Sequence, residues 1–156
     1  MSNFINIADA SIIIKRINLS RYVLFHFYAK NPFDCAVCNK YGSENMAIIT
    51  IERRLHKDNR FFIIPTHPLD NNKPDIYPYA EGLKHIRWDI LDMEAGRDYN
   101  DSEIRKACMA ECVMKYKITT KAFSFIYVHN DEAKQQIENM PNGKKVSVTI
   151  APNMFP

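Results

Sequence analysis

The stretch KACMAECVMKYK, residues 106–117, is the sequence feature that most constrains the fold. The seven residues from Cys108 to Met114 are apolar except for Glu111. If Cys108–Tyr116 form a strand, alternate side chains point to opposite faces, and both faces are apolar. The pattern therefore predicts a central strand that is covered on both sides.

Other β-favouring runs predict the remaining strands. Residues 22–28 end at Asn31-Pro32, a pair that favours turns. Residues 46–52 and 60–65 are joined by the charged stretch ERRLHKDN, and residues 123–128 and 145–151 complete the set. These runs predict at least five strands.

The helical patterns do not alternate strictly with the strands. A mixed helical pattern covers residues 80–95, capping residues around Asp101 predict a short helix, and residues 130–140 predict another. Residues 67–82 contain three prolines and predict a long irregular loop. The combination indicates one α+β domain over residues 1–156, with mixed or antiparallel β-sheets and flanking helices.

Composition narrows the class of protein. The chain has 156 residues, 46% of them hydrophobic, and no apolar run approaches the roughly 20 residues needed to span a bilayer. The first residues lack the order of a secretory signal, so we expect a cytoplasmic protein with four reduced cysteines and no membrane partner. The net charge is +3 and the first sixty residues lean basic, which is compatible with a nucleic-acid partner or with an ordinary solvated surface.

A lone carboxylate at Glu111 needs an explanation. An ionised acid on a covered strand is costly to desolvate unless a partner pairs with it. Either the strand lies at an edge or Glu111 pairs with a structural cation, or the acid faces a cleft in which it acts in catalysis.

Other constellations carry weaker signals. Cys35, Cys38, Cys108 and Cys112 could supply four thiolates for zinc, but residues four apart on a strand are about 13 Å apart, too far for one ion. A redox function of CAVC is equally weak, since that motif normally opens a helix after a strand. Because the four thiols cannot reach one ion, we expect no metal. No phosphate-binding glycine loop or nucleophile elbow occurs.

Several segments, taken in order, resemble the DarT family of DNA ADP-ribosyltransferases. RYVLFHFYAKNPF is similar to the family's first strand and turn, and RFFIIPTHPLDN to the strand and loop that follow. The resemblance continues through HIRWDIL, RKACMAECVM, FSFIYVHNDEAKQQIENM and KVSVTIAPNMF. It covers roughly residues 20–156 and implies an ADP-ribosyltransferase-like fold.

The resemblance also implies residue roles. Glu111 matches the catalytic acid of the family's MAE-like triplet, and NAD is the implied donor of ADP-ribose to a base in single-stranded DNA. Lys30 matches the family's turn arginine and is expected to contact the NAD phosphates, although lysine lacks the planar bidentate fork of arginine. Tyr28, Asn31 and His26 are expected to shape the same cofactor site, with His26 on the face that carries Lys30 if the first strand persists that far.

The resemblance is incomplete at the amino terminus. The family's His-x-Thr motif, which holds part of NAD, is absent before Tyr22, and FINIADASIIIKR is similar only to the end of that region. We expect either a shortened enzyme or one whose NAD site is completed by a second polypeptide.

The segment Thr66–Lys106, here called the substrate lip, combines cations with aromatic residues. This mixture is suited to phosphate contacts and to base stacking on an unpaired DNA strand. We expect DNA contacts from Lys84, His85, Arg87, Trp88 and Arg105. The implied role is that of a toxin in a toxin–antitoxin or antiphage system, with a macrodomain antitoxin as partner; the alternative is a noncatalytic homologue that binds DNA or protein.

Overall fold

The structure, a computed structural model, describes residues 22–52, 60–67, 75–93, 95–115 and 117–156. Within these ranges two sheets form, with 3₁₀ turns between several elements. The strands are β1 Tyr22–His26, β2 Ala47–Ile51, β3 Phe61–Ile64, β4 Tyr77–Pro78, β5 Glu111–Lys115, β6 Phe123–Val128 and β7 Ser147–Ile150. The helices are α1 Pro32–Tyr41, α2 Tyr79–Gly82, α3 Trp88–Leu91, α4 Ser102–Cys108 and α5 Asp131–Glu138.

The four-stranded sheet has the order β1-β5-β3-β4, and its strands are antiparallel. β5 therefore lies between two neighbours, as its apolar pattern predicts. Its first residue, Glu111, is level with His26 of β1 on one side and with Ile64 of β3 on the other. This pairing fixes the register of the lone acid from both sides.

Both faces of this sheet are covered because side chains on a strand alternate. Ile63 belongs to a buried cluster with residues of α3 and α4. Val113 and Ile64 pack together in a separate cluster, with Leu24 beside them. Ile63 and Val113 are both 0% exposed, and burying each such side chain stabilises the fold by about 1.5–3 kcal/mol.

Short helices cover the face that carries Ile63. A side chain at Gly82 would place its Cβ 2.3 Å from the Cβ of Ile63, so glycine permits α2 to approach β3 closely. α4 begins where the Asp101 carboxylate accepts hydrogen bonds from the backbone N–H groups of Glu103 and Ile104. The predicted cap at Asp101 is confirmed.

The three-stranded sheet has the order β2-β6-β7, with β2 antiparallel and β7 parallel to β6. α5 connects the two parallel strands and buries Ala133 against Val128 and Val148. The Asn130 side chain caps α5 by accepting a hydrogen bond from the N–H of Ala133. The expected mixture of antiparallel and mixed sheets, with helices against them, is confirmed.

Some boundaries predicted from the sequence are wrong. The strand predicted from Cys108 begins only at Glu111, because α4 continues through Cys108. The loop predicted over 67–82 ends earlier, since β4 and α2 occupy its last six residues. α1 begins at Pro32 itself, directly after its N-cap Asn31, and the missing N–H of a proline at the first helical position costs nothing.

Parts of the sequence-based predictions lie outside the described residues. These are the amino-terminal segment 1–21, the charged link 53–59 and part of the predicted loop, 68–74. Within the described ranges, no helix has the length and apolar character needed to cross a bilayer.

Candidate active site

A cleft lies between the two sheets, where β1 and β2 are end strands in the described sheet orders. Its volume is about 540 Å³, within the range of roughly 300–1,000 Å³ typical of small-molecule sites. His26 and Tyr28 line one wall, and residues 46–52 line the other. Two of the predicted cofactor residues therefore share one cavity.

Glu111 is 0% exposed and is not among the residues that line this cleft. Its strand neighbour Cys112 lines the cleft, and so does His26, with which Glu111 is level across the β1–β5 pair. The acid is therefore held within the sheet, one residue from the cleft wall. The alternative that β5 lies at a sheet edge is excluded, since β5 has a neighbour on each side.

Residues 27–31, here called the Lys30 turn, leave β1 and lead into α1. Lys30 has φ 63°, the left-handed region that side chains other than glycine and asparagine adopt at a cost. Its side chain is exposed. A strained turn that presents a cation beside a cleft is an arrangement often found at functional sites.

A reciprocal capping pair fixes the end of this turn. The Asn31 side chain is fully buried, accepts hydrogen bonds from the N–H groups of Phe33 and Asp34, and donates to the Tyr28 carbonyl at 3.2 Å. It also donates to the Asp34 carboxylate at 2.9 Å. Asp34 lines the cleft but was missed from sequence, because a single acid after Pro32 has no distinctive pattern.

Tyr99 ties the Lys30 turn to the loop before α4. Its hydroxyl donates to the Lys30 carbonyl at 2.7 Å and lies 2.7 Å from the Tyr28 hydroxyl. Since Tyr99 has one hydroxyl proton, Tyr28 is the donor in the second bond. The Arg97 guanidinium lies 4.9 Å from the centre of the Tyr28 ring, an attractive cation–π contact.

Burial sets the protonation of the groups around the cleft. It raises the pKa of Tyr28, with further increases from hydrogen bonds to Cys108 and Tyr99. It raises the pKa of Cys112 to about 12, and it raises the pKa of Asp34 although nearby hydrogen bonds partly oppose this. Tyr28 and Cys112 are therefore neutral at physiological pH, and Cys112 is a poor nucleophile.

The condition under which His26 would share a strand face with Lys30 is not met. β1 ends at His26, so the chain has left the strand before it reaches Lys30, and the two residues do not share a strand face. The His26 ring instead stacks on Phe33 of α1, with ring centres 5.8 Å apart. His26 nevertheless remains on the cleft wall.

The predicted DNA-contacting residues lie together on the helical side of the four-stranded sheet, from the 3₁₀ turn Leu83–His85 to α4. Lys84 pairs with Glu81 at 2.8 Å and Arg87 with Asp89 at 2.6 Å, whereas Arg105 is exposed. The His85 ring stacks on Tyr77.

Trp88 connects the substrate lip to the cleft wall. Its indole N–H donates to the Leu83 carbonyl, and its ring meets Phe27 edge-on at 5.6 Å. Because Phe27 lines the cleft, the partly buried indole lies one side chain away from it.

The cysteines do not assemble into one site. CAVC lies within α1, a helix that does follow a strand, but burial and the neighbouring Asp34 raise the pKa of Cys35. All four cysteines are free thiols. Among the described residues, no group of three or more His, Cys, Asp or Glu side chains is placed to hold a metal ion.

Comparison with known families decides the assignment. The family model described as "ssDNA thymidine ADP-ribosyltransferase, DarT" matches residues 1–156. The chain belongs to the DarT family. The DarT resemblance over roughly residues 20–156 is therefore confirmed, and the family model also matches the residues before Tyr22.

Solved DarT structures share the fold. Thermosipho africanus DarTG in complex with ADP-ribose superposes with a TM-score of 0.80 at 22% identity, covering 99% of this chain and 43% of that one. Thermus sp. 2.9 DarT in complex with ADP-ribosylated ssDNA superposes with a TM-score of 0.82 at 17% identity. This match covers 98% of this chain and 82% of the Thermus chain. The same Thermus protein in complex with NAD+ superposes with a TM-score of 0.73 at 16% identity. This match covers 87% of this chain and 73% of the Thermus chain. This chain thus spans less than half of the Thermosipho protein. A comparison with curated proteins gives no match.

These findings confirm the predicted α+β ADP-ribosyltransferase fold and the predicted family. The predicted cofactor, NAD, agrees with the solved complex of Thermus sp. 2.9 DarT with NAD+. The family description also names thymidine, whereas the sequence left the modified base open. The roles of individual site residues remain predictions.

Proposed function

We propose that this chain transfers ADP-ribose from NAD to thymidine in single-stranded DNA. The observation that carries the proposal is the position of Glu111: it is fully buried at the start of β5 and level with His26 of the cleft wall. The sequence resemblance matches this residue to the acid of the DarT triplet. A carboxylate that the fold holds in place away from bulk water acts more strongly on developing charge than one in solvent.

The residues around the cleft fit NAD. The cleft has room for a ligand of this class, and the exposed Lys30 side chain is a suitable partner for a pyrophosphate. His26 and Tyr28 lie on the wall, where they can contact the ribose or nicotinamide end, and Asn31 fixes the turn from inside. Bound NAD supplies an activated glycosidic bond between C1′ of the ribose and nicotinamide.

In the transfer, the C1′–nicotinamide bond breaks and its electron pair leaves with nicotinamide. A bond forms between C1′ and N3 of thymine, the ring nitrogen that carries a hydrogen. We propose that the Glu111 carboxylate holds a ribose hydroxyl, stabilises positive charge on the sugar and accepts the proton from N3. The transfer needs no further reactant, because the electron pair leaves with nicotinamide and the proton goes to Glu111.

We propose that the substrate lip guides the DNA strand to the cleft. Trp88 and His85 offer aromatic surface for bases, and Lys84, Arg87 and Arg105 offer cations for phosphates. The ion pairs of Lys84 with Glu81 and of Arg87 with Asp89 must loosen or be shared when phosphates bind. Arg105 is exposed and needs no such change.

A direct test is mass spectrometry of a thymidine-containing oligonucleotide after incubation with the protein and NAD. The expected product gains one ADP-ribose, and an oligonucleotide in which every thymidine is replaced by cytidine gains none. Modification of both oligonucleotides contradicts thymidine as the target. If neither is modified and calorimetry shows no NAD binding, the chain is a noncatalytic homologue that binds DNA or protein.

The biological setting is also part of the proposal. We infer that residues 1–156 form one DarT domain that acts as the toxin of a toxin–antitoxin or antiphage system in the cytoplasm, where DNA and NAD are both present. A macrodomain that reverses or blocks the modification is the proposed antitoxin. A second polypeptide that completes the NAD site is a further proposed partner.

Replacing Tyr99 with phenylalanine tests the support of the Lys30 turn. The change removes the hydroxyl bonds to Tyr28 and to the Lys30 carbonyl but keeps the ring. Two such bonds together are worth about 1–3 kcal/mol, and part of this appears as a roughly tenfold increase in KM for NAD with kcat nearly unchanged. Steady-state kinetics at varied NAD concentration measures both constants.

Tyr41→Phe is the matched control, because Tyr41 is exposed on the last turn of α1 and should leave both constants unchanged. A second comparison uses Lys30→Ala as background. If Tyr99 acts through the turn, its substitution has little further effect on NAD affinity once the Lys30 side chain is gone. Fully additive effects contradict this role.

A further inference from the structure

A second cavity, of about 300 Å³, lies at the end of β5 opposite to Glu111. Its lining includes three cations: Arg60 before β3, Lys117 after β5, and Lys121 in the 3₁₀ turn Thr120–Ala122. None of the described residues that line it is acidic. Arg60, Lys117 and Lys121 are here called the cationic pocket.

The fold brings these three residues together from separate parts of the sequence. β3 and β5 are antiparallel, so the start of β3 is level with the end of β5, and the Lys115 N–H donates to the Arg60 carbonyl at 3.2 Å. The chain then turns through Thr119 to Lys121, where the Ala122 N–H donates to the Thr119 carbonyl. Sequence alone did not suggest this cluster, because Arg60 and Lys117 are 57 positions apart.

The cationic pocket differs electrostatically from the substrate lip. In the lip, Lys84, Arg87 and Lys106 each have a carboxylate within 3.2 Å. In the described part of the chain, the structure records no ion pair for Lys117 or Lys121. A polyanion can therefore approach these two lysines without displacing an acidic partner.

The cationic pocket adjoins the cleft. Phe61 lines both cavities and is 5% exposed, and Met114, level with it on β5, lines the cationic pocket. Glu111 and Lys115 are four residue steps apart on β5, a distance of about 13 Å at roughly 3.3 Å per residue. A single DNA strand that delivers one base to the cleft can thus place a neighbouring phosphate in the cationic pocket.

We propose that the cationic pocket binds the phosphodiester backbone of single-stranded DNA next to the nucleotide that enters the cleft. This inference rests on the proposed function and adds a specific part of the DNA path. Side-chain cations around a pocket without glycine-rich backbone suit phosphate oxygens in any sequence context, so the contact contributes affinity and strand position rather than base selection.

The test is the salt dependence of oligonucleotide binding, measured by fluorescence anisotropy without NAD. Arg60→Gln/Lys117→Gln/Lys121→Gln removes up to three phosphate contacts, which reduces the slope of log K against log salt concentration by about 2. The loss is the same for oligonucleotides with and without thymidine. The double variant Lys117→Gln/Lys121→Gln, which keeps Arg60, is expected to reduce the slope by about 1.4.

Lys40→Gln/Lys134→Gln/Lys145→Gln is the matched control, since it removes the same formal charge from other exposed or partly exposed positions and should leave the slope nearly unchanged. Equal slopes for the pocket variants and the wild type overturn the proposal, as does an equal loss in the control. Calorimetry with NAD separates the two possible phosphate sources: an unchanged NAD affinity supports a DNA site, and a lost NAD affinity overturns it. If the wild type binds DNA with the expected slope but transfers no ADP-ribose, the proposed function fails while the DNA site stands.

Discussion

Glu111→Gln is expected to reduce ADP-ribose transfer to DNA by about 10³-fold or more, because it removes the charge that stabilises the sugar and the base that accepts the N3 proton. Glutamine has nearly the same shape, so the side chain still fills its fully buried site. Single-turnover assays with labelled NAD measure the loss of the chemical step directly. NAD affinity, measured by calorimetry, should change much less than the rate.

Glu132→Gln is a suitable control, since Glu132 is an exposed acid in the first turn of α5. This variant should transfer ADP-ribose at the wild-type rate. Thermal unfolding of both variants checks that the fold is retained. If Glu111→Gln is folded and keeps even a tenth of the wild-type rate, Glu111 is not the catalytic acid.

Asn31→Ala is expected to lower the free energy of unfolding by roughly 3 kcal/mol. The change removes the cap of α1, and it leaves the nearly buried Asp34 carboxylate and the Tyr28 carbonyl without the amide donor. A lost cap costs about 0.5–2 kcal/mol, and a buried polar group that loses its partner costs about 1–3 kcal/mol. Urea unfolding followed by circular dichroism gives the difference.

Asn130→Ala provides the comparison, because Asn130 caps α5 through one hydrogen bond and is only partly buried. Its loss should cost about 1 kcal/mol. Equal costs at the two positions would mean that Asn31 is an ordinary helix cap. A larger cost at Asn31 indicates that the buried amide also holds the Lys30 turn.

The strands were predictable from the sequence because each has a strong local pattern. β-branched and aromatic residues dominate β2, β3 and β6, and each prediction agrees with the observed strand to within one or two residues. The central position of β5 followed from its two apolar faces. Neither inference needs knowledge of which strands pair.

The errors arose where local signals compete. Cys108 continues the apolar run of β5 but also completes the helix that begins at Asp101, and the helix prevails. Pro32 favours a turn and is equally suited to the first position of a helix, so α1 was missed. In both cases the outcome depends on contacts formed elsewhere in the fold.

The site was predictable only in part. Glu111 stands out as an acid in an apolar run, and the family resemblance supplied its proposed chemistry. Asp34, Tyr99 and the cationic pocket have no comparable local pattern, because their relations to the cleft depend on strand order and loop paths. Sequence identifies an isolated charge more readily than a group assembled from distant positions.

The pairing of Glu111 on both sides restricts how relatives of this chain can change in length. Inserting or deleting one residue within β5, between Glu111 and Lys115, would shift one part of the strand by one position against β1 and β3, so Glu111 and the rest of the strand could not both keep their observed pairing and faces. Changes in the length of this segment must therefore preserve the alternation of its side chains between the two faces of the sheet. Length variation is tolerated more easily before Asp101, where the chain is still outside the sheet.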